Sequence, residues 1–193
     1  MSEATPLIQE LDGQNILVEP ARSDDAEAVF NVQRITWFDT YPNEKAGVTR
    51  EDIHMRLEGK HGELIPNKIE HWRKIIETAG DERAAYVVRD GSKIVGFVAP
   101  TIKNGKRRVG ALYVLPEFQG RGIGSKLLEK SIEWHGRNND IFLQVASYNQ
   151  NAIDFYRSHG FVETGNAVAD EVAHRVGGKA IPETEMVLKA DLN

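Results

Sequence analysis

The sequence predicts an α+β domain from three features of its residue pattern. Between Asp24 and Gly80 the apolar side chains recur at helical spacing, whereas from Ala84 onward the spacing is that of extended strands. Asp90-Gly91 and Asn104-Gly105, dipeptides typical of tight hairpins, separate the strand-like stretches that follow. A glycine-rich turn then leads from a strand into an amphipathic helix. Antiparallel hairpins beside separate helices are typical of the α+β class.

Composition narrows the possible function classes. The chain has 193 residues, 40% of them hydrophobic and 27% charged, as expected for one globular domain. A net charge of -5 weighs against a nucleic-acid partner. The absence of cysteine excludes disulfides, thiolate zinc sites and a cysteine nucleophile. Residues 1–14 do not resemble a signal peptide, and no apolar run reaches the ~20 residues of a membrane helix, so we expect a cytoplasmic protein without a membrane partner.

The first part of the chain predicts one strand and three helices. Residues 16–21 form the strand, with a pairing segment at residues 7–11. Asp24 and Glu27 have the spacing of a capping box for the first helix, which we expect to end near Tyr41-Pro42 because proline disfavours helical angles in the residue before it. Thr49 with Asp52 starts the second helix, which runs to about Gly59. The third helix begins near Pro66 and ends at Gly80.

The second part predicts a meander of three antiparallel strands at residues 86–88, 94–98 and 109–114. A helix follows the glycine turn and ends near Gly136. A short buried strand at 141–145, a helix at 152–159 and a strand beginning at 161–162 come next. The last strand, 185–188, follows a turn at Gly177-Gly178.

The glycine turn is the most informative stretch. Gly120, Gly122 and Gly124 alternate between a strand and a helix, where glycine lets the backbone approach a ligand closely. Free N–H groups and the positive end of the helix dipole favour a phosphate there. The stretch lacks the Gly-Lys-Ser/Thr of a P-loop and has the wrong glycine spacing for a dinucleotide fingerprint. A tight turn without a ligand is the structural alternative.

Two motifs give the turn a family context. Gln119-x-x-Gly122-x-Gly124, after Leu112-Tyr113-Val114 and Pro116, resembles motif A of the GNAT acetyltransferase superfamily. About 25 residues on, Asn149-x-x-Ala152-Ile153-x-x-Tyr156-x-x-x-Gly160-Phe161 resembles its motif B. The resemblance implies a single GNAT domain over residues 1–193, with an acetyl-CoA-binding core at about 84–162. It also implies a mixed, mostly antiparallel sheet of six to seven strands, flanked by helices and splayed between the fourth and fifth strands.

The resemblance further implies how acetyl-CoA is held. Backbone N–H groups of the turn bind the pyrophosphate, the fourth strand pairs with pantetheine as an added strand would, and Asn149 hydrogen-bonds the CoA arm. Asn149 also suits the N-cap of its helix, and one residue can serve both roles. By position, the residues of the turn and strand are Leu112, Tyr113, Val114, Gln119, Gly120, Arg121, Gly122, Ile123, Gly124 and Ser125.

The implied reaction is attack of a neutral primary amine on the acetyl thioester, with no metal. Tyr156 matches the general acid that protonates the departing thiolate, and it is also counted among the residues that contact acetyl-CoA. The Val114 N–H is expected to stabilise the oxyanion. The structural alternative for Tyr156 is packing against Phe155 and Phe161.

The base and the acceptor are less defined by sequence. Residues 107–111 carry no carboxylate, and Gln144 cannot act as a base, so Asp39, Glu70, His71 and a water chain stay as candidates. The segment containing Trp37, Asp39 and Tyr41 is loosely similar to bacterial spermidine/spermine acetyltransferases, which implies a cationic amine on the aromatic faces. The alternative is that these rings close the core.

Several functions therefore remain open. The leading hypothesis is an acetyltransferase that acts on a polyamine or another small amine. An amino sugar, a free amino acid and a peptide or protein N-terminus are further possible acceptors. From another class, a CoA-binding sensor without catalysis fits the missing strand carboxylate. A homodimer is compatible with the resemblance.

Overall fold

The computed structural model describes residues 16–167, 175–176 and 179–191. Predicted features at residues 7–11 and Gly177-Gly178 lie outside these ranges. Within them the helices are α1 Ala26–Thr40, α2 Arg50–Leu57, α3 Ile65–Glu77, α4 Ile123–His135 and α5 Gln150–Ser158, with 3-10 turns at Ser23–Asp25 and Pro116–Phe118. The strands are β1 Val18–Pro20, β2 Tyr86–Asp90, β3 Lys93–Lys103, β4 Lys106–Val114, β5 Ile141–Ala146, β6 Val162–Ala167, β7 Arg175–Val176, β8 Lys179–Ala180 and β9 Glu183–Leu188.

Seven strands form one mixed sheet in the order β1-β2-β3-β4-β5-β9-β6, and β7 pairs with β8 separately. Every pairing in the large sheet is antiparallel except that of β4 with β5, which is parallel. The predicted meander corresponds to β2, β3 and β4. The predicted α+β class and mixed sheet are confirmed.

Helices cover both faces of the meander because neighbouring residues of β3 point to opposite sides. Phe97 packs its ring against Trp72 of α3, with centroids 4.9 Å apart. Gly96 faces α4, where an added Cβ would lie 3.1 Å from Leu127 and 3.2 Å from Ile123. Glycine at this position therefore lets α4 approach the sheet closely.

The helix starts agree with the sequence at α2 and differ at α1. Thr49 and Asp52 form the predicted capping box, the Asp52 N–H donating to the Thr49 hydroxyl at 3.0 Å. At α1 the predicted Asp24–Glu27 pair is not the capping contact. The Arg22 N–H instead donates to Asp25 at 2.8 Å, and Arg89 holds the same carboxylate at 2.6 Å. The ion pair with β2 thus selects Asp25.

A β-bulge at Gly110 opens the sheet. β4 and β5 pair only at Arg107 with Ile141 and Arg108 with Phe142. Gly110 follows with φ +72°, and a Cβ there would lie 2.0 Å from the Ala99 carbonyl oxygen, so only glycine fits. Beyond this bend β4 leaves β5, which confirms the predicted splay between the fourth and fifth strands. Among the described helices, none has the length and apolar character needed to cross a membrane.

Candidate active site

Two cavities meet at the gap between β4 and β5. The first, which we call the α5 cavity, has a volume of about 600 Å³ and is lined by β4, β5, the glycine turn and α5. The second, the α3 cavity, has a volume of about 530 Å³ and lies on the side of α1, α2 and α3. Four residues line both cavities: Tyr41, Gly110, Tyr113 and Gln144.

The edge of β4 supplies backbone groups to the gap. The Leu115 N–H donates to the Val95 carbonyl at 2.9 Å, toward β3. Because successive residues of a strand direct their backbone groups to opposite edges, those of Val114 point into the gap. The Gln119 side-chain amide donates to the Val114 carbonyl at 3.0 Å. Leu112, two residues earlier, lines the same cavity.

The glycine turn presents the first turn of α4 without a side-chain cap. Gly122 is the N-cap residue, in left-handed conformation with φ +83°, and Gly120 has φ +75°. The first N–H groups of α4 therefore face outward with the positive end of the helix dipole. Ile123 is buried and offers only its backbone.

The side chains around this turn are held by protein partners. The Arg121 guanidinium donates to the Glu117 carbonyl at 3.1 Å and lies over the Phe118 ring. The Ser125 hydroxyl is 3.0 Å from Nε2 of His159, which ties α4 to the end of α5. Gln119 and Gly124 line the α5 cavity, whereas the side chains of Arg121 and Ser125 do not.

Residues of motif B have the packing and capping roles that the sequence left as alternatives, and they also line the α5 cavity. Asn149 accepts the Ala152 N–H at 3.1 Å as the N-cap of α5. Tyr156 packs against Phe155 and Phe161, with centroids 5.1 and 5.8 Å away. Burial, followed by the nearby Tyr113, raises the pKa of the Tyr156 hydroxyl, which therefore stays protonated at neutral pH.

The residues predicted to bind the acceptor amine, Trp37, Asp39 and Tyr41, lie partly in the core and partly at the surface. Trp37 and Tyr41 are buried with ring centroids 4.6 Å apart, and the Trp37 indole N–H donates to the Tyr113 hydroxyl at 2.8 Å. Burial and the neighbouring Tyr113 hydroxyl raise the pKa of Tyr41. Asp39 is exposed and lines the α5 cavity. The two rings are part of the core, although Trp37 lines the α3 cavity and Tyr41 lines both cavities, and Asp39 is the exposed member of the cluster.

The three base candidates lie in different surroundings. His71 lines the α3 cavity, and its pKa is lowered by burial and by the charges of Lys68 and Arg83. Glu70 pairs with Arg73 at the surface and lines neither cavity. Of the three candidates, His71 is the one that lines the α3 cavity, and Asp39 is the one that lines the α5 cavity.

Sequence reasoning missed three residues that line a cavity or act electrostatically on residues that do. Gly110 is marked by a glycine inside a strand pattern, a signal for a bulge. Tyr148 lines the α5 cavity and donates to the Tyr41 carbonyl at 2.8 Å, which links α1 to the loop after β5. Glu183 acts electrostatically on Tyr41 and Tyr113. It lies on β9, beyond both motifs, where no local pattern distinguishes it.

Metal ligands are not assembled in the part of the chain that the structure describes, since no group of three or more His, Cys, Asp or Glu side chains is placed to hold an ion.

Comparison with known proteins identifies relatives of this chain. The family model for the acetyltransferase (GNAT) family matches residues 49–161. The chain is 37% identical over 92 residues to an uncharacterized N-acetyltransferase of Methanocaldococcus jannaschii, covering 43% of this chain and 41% of that protein. It is 33% identical over 108 residues to the peptidyl-lysine N-acetyltransferase YiaC of Escherichia coli, covering 54% of this chain and 70% of the relative. The chain thus spans less than half of the archaeal protein.

The fold also matches a solved structure. The PaiA N-acetyltransferase of Thermoplasma acidophilum, in complex with coenzyme A, superposes with a TM-score of 0.66 at 20% identity. The match covers 91% of this chain and 99% of that one. At this identity the likeness is one of fold.

Proposed function

The chain belongs to the GNAT acetyltransferase family, and on that premise we propose that it transfers an acetyl group from acetyl-CoA to a primary amine by direct attack in a ternary complex. The supporting observation is the gap at Gly110, where the α5 cavity and the α3 cavity share lining residues. Two substrates that enter from opposite sides meet there, and such placement lowers the barrier by proximity.

The groups around the α5 cavity fit acetyl-CoA. The uncapped amides at the start of α4 match a diphosphate, and the backbone of Leu112 and Val114 offers a strand edge to an extended amide-containing arm. Asn149 uses its side-chain oxygen as a cap, which leaves its amide nitrogen for the arm. Bound there, acetyl-CoA supplies an activated acetyl thioester.

Each residue at the gap then has a defined task. The Val114 N–H donates to the acetyl carbonyl oxygen while the amine nitrogen attacks the carbonyl carbon and the carbon–sulfur bond breaks. Tyr156 donates a hydrogen bond to the departing sulfur. Its pKa is raised, and a thiol has a reference pKa of about 8.5, so complete proton transfer from the phenol is uphill and hydrogen-bond donation is the main contribution.

His71 takes the proton that the amine must lose. Its lowered pKa keeps the imidazole neutral near pH 7, the form that can accept a proton. Asp39, on the side of the α5 cavity, is the alternative carboxylate.

Acceptors of different size fit the same chemistry. The sequence favours a polyamine or other small amine, and a peptide or protein amine is the second candidate because YiaC is named a peptidyl-lysine N-acetyltransferase. A non-catalytic CoA sensor shares the α5 cavity but requires no acceptor. One domain over residues 1–193, a cytoplasmic location and a homodimer stay predictions.

The test of this function measures how fast acetyl-CoA releases its free thiol when an acceptor is present. Purified protein is mixed with acetyl-CoA and a panel of amines and peptides, and free thiol is measured with a disulfide reagent, against which a chain without cysteine gives little background. Amine-dependent release supports the enzyme. Binding of CoA by calorimetry without turnover of any amine or peptide identifies a sensor instead.

A further inference from the structure

The α3 cavity has a cationic wall. Arg56 of α2, Lys68 of α3, Lys103 at the end of β3 and Arg108 of β4 all line it. Among the described residues, no Asp or Glu lines this cavity. The whole chain carries a net charge of -5, so this wall has the sign opposite to that of the protein.

Most of these cations have no carboxylate partner among the residues that the structure describes. Within residues 16–167, 175–176 and 179–191 no ion pair forms at Arg56, Lys68 or Lys103. Arg108 lies 3.8 Å from Glu185, but Lys106 holds that carboxylate more closely, at 2.6 Å. By contrast, Lys126, Lys130 and Lys189 pair with carboxylates at 2.8, 3.0 and 2.8 Å.

The cations of the wall also act on one another. Burial, followed by the charge of Arg56, lowers the pKa of Lys68, and Lys68 in turn contributes to the lowered pKa of His71. Glu183 is a carboxylate that acts on Arg56, and it does not line the cavity. Like charges in a partly buried site are unfavourable, and a bound anion would relieve them.

The Trp37 ring, one of the aromatic faces predicted to hold a cationic substrate, already faces a protein cation. The Arg56 guanidinium lies 5.5 Å from the centre of the Trp37 ring, and Arg50 lies at the same distance from Phe38. A second ammonium group on the acceptor would therefore meet guanidinium and ammonium groups of the protein. This surrounding disfavours a polyamine.

We propose that the accepted amine carries an anionic oxygen group, a carboxylate or a phosphate, at the end remote from its reacting nitrogen, and that this group binds to Arg56, Lys68 and Lys103 in the α3 cavity. The inference rests on the proposed function, since it assigns this cavity to the acceptor. A cavity of about 530 Å³ suits a small molecule.

The first test compares amines of similar length that differ only in the remote group. Thiol release is measured with 4-aminobutanoate, 3-aminopropyl phosphate, butylamine and 1,4-diaminobutane. We expect kcat/KM for at least one anionic amine to exceed that for the diamine by about tenfold or more, mainly through KM, because charge-assisted hydrogen bonds are the stronger ones. The carboxylate and phosphate compounds separate the two sources of the anion.

The second test reverses one charge of the wall. Lys68→Glu and Lys103→Glu are each expected to raise KM for the anionic amine about tenfold and to improve the diamine relative to it. Lys74→Glu is the matched control, because Lys74 is exposed on the same helix and lines neither cavity. Binding of acetyl-CoA by calorimetry confirms that each variant is folded.

The outcomes separate the two proposals. Preference for the diamine or the neutral amine, or a Lys68→Glu effect no larger than that of Lys74→Glu, overturns the anionic acceptor and leaves the acetyltransferase standing. Thiol release with none of the amines or peptides, although CoA binds, overturns the proposed function and this inference with it.

Discussion

The side-chain amide of Gln119 donates a 3.0 Å hydrogen bond to the backbone carbonyl of Val114. Val114 is the last residue of β4, and Gln119 precedes the glycine turn that starts α4. This one contact therefore fixes the position of the uncapped amides of α4 relative to the edge of β4 that faces the gap. The diphosphate end and the reactive end of a bound donor would be positioned by the same side chain.

Substitutions of Gln119 are expected to weaken acetyl-CoA binding in a defined order. Gln119→Leu removes one hydrogen bond and should raise the Kd for CoA about fivefold. Gln119→Glu places a negative charge beside a carbonyl oxygen and the diphosphate site, so its effect should be clearly larger. Calorimetry with CoA measures both. Equal affinities for the three proteins would show that this contact does not position the donor.

Tyr156→Phe should lower kcat by on the order of 100-fold, because it removes the hydrogen bond to the departing sulfur. CoA affinity should be nearly unchanged, since the ring and its packing against Phe161 are kept. Steady-state thiol release and calorimetry measure the two quantities. Tyr86→Phe, on the remote strand β2, is the control. An unaltered kcat would leave Tyr156 with its packing role alone.

Gly110→Ala is expected to destabilise the protein by more than about 2 kcal/mol, because the left-handed backbone and the close Ala99 carbonyl both oppose a side chain. Gly105→Ala separates these causes. Gly105 also has a positive φ, +74°, but has open space around it, so only about 1 kcal/mol should be lost. Urea unfolding gives both free energies. Similar losses would mean that the bulge accommodates the methyl group.

The acid side of the pH–rate profile should depend on His71. The base form is required, and the pKa of His71 lies below its reference value of 6.5, so kcat/KM should fall only as the pH drops below that value. His71→Gln should abolish this decline and lower the rate at neutral pH by about 100-fold. His61→Gln, outside both cavities, is the control. A decline retained in His71→Gln would assign the proton to Asp39 or to water.

The fold was predictable where local chemistry decides it. Asn104-Gly105 and Thr49 with Asp52 each specify a turn or a helix start by themselves, and the structure places a β-turn and α2 there. The turn predicted at Asp90-Gly91 lies one residue further on, at Gly91-Ser92, because Asp90 pairs with Lys93. Asp25 was not predictable as the capping side chain of the 3-10 turn that leads into α1. Its carboxylate is selected by Arg89, 64 residues away in sequence.

The site likewise has a part that local sequence predicts and a part that it does not. Gln119 to Gly124 and Asn149 to Tyr156 are continuous motifs, and Gln119, Gly124, Asn149 and Tyr156 from them line one cavity. The cationic wall of the α3 cavity has no such pattern, because Arg56, Lys68 and Lys103 come from three different elements. The aromatic residue Trp37 looked like a cation site in sequence, but Arg56 covers its face.

Because of the bulge at Gly110, the end of β4 has an unpaired strand edge inside the molecule and not at the outer rim of the sheet. Unpaired edge groups at a rim invite pairing with other chains and aggregation. Here the free edge around Val114 borders a cavity of about 600 Å³, a size typical of small-ligand sites. We therefore expect amide exchange at Leu112 and Val114 to be fast in the ligand-free protein and to slow when the donor completes the ladder, with little change at the amides that pair β5 with β9.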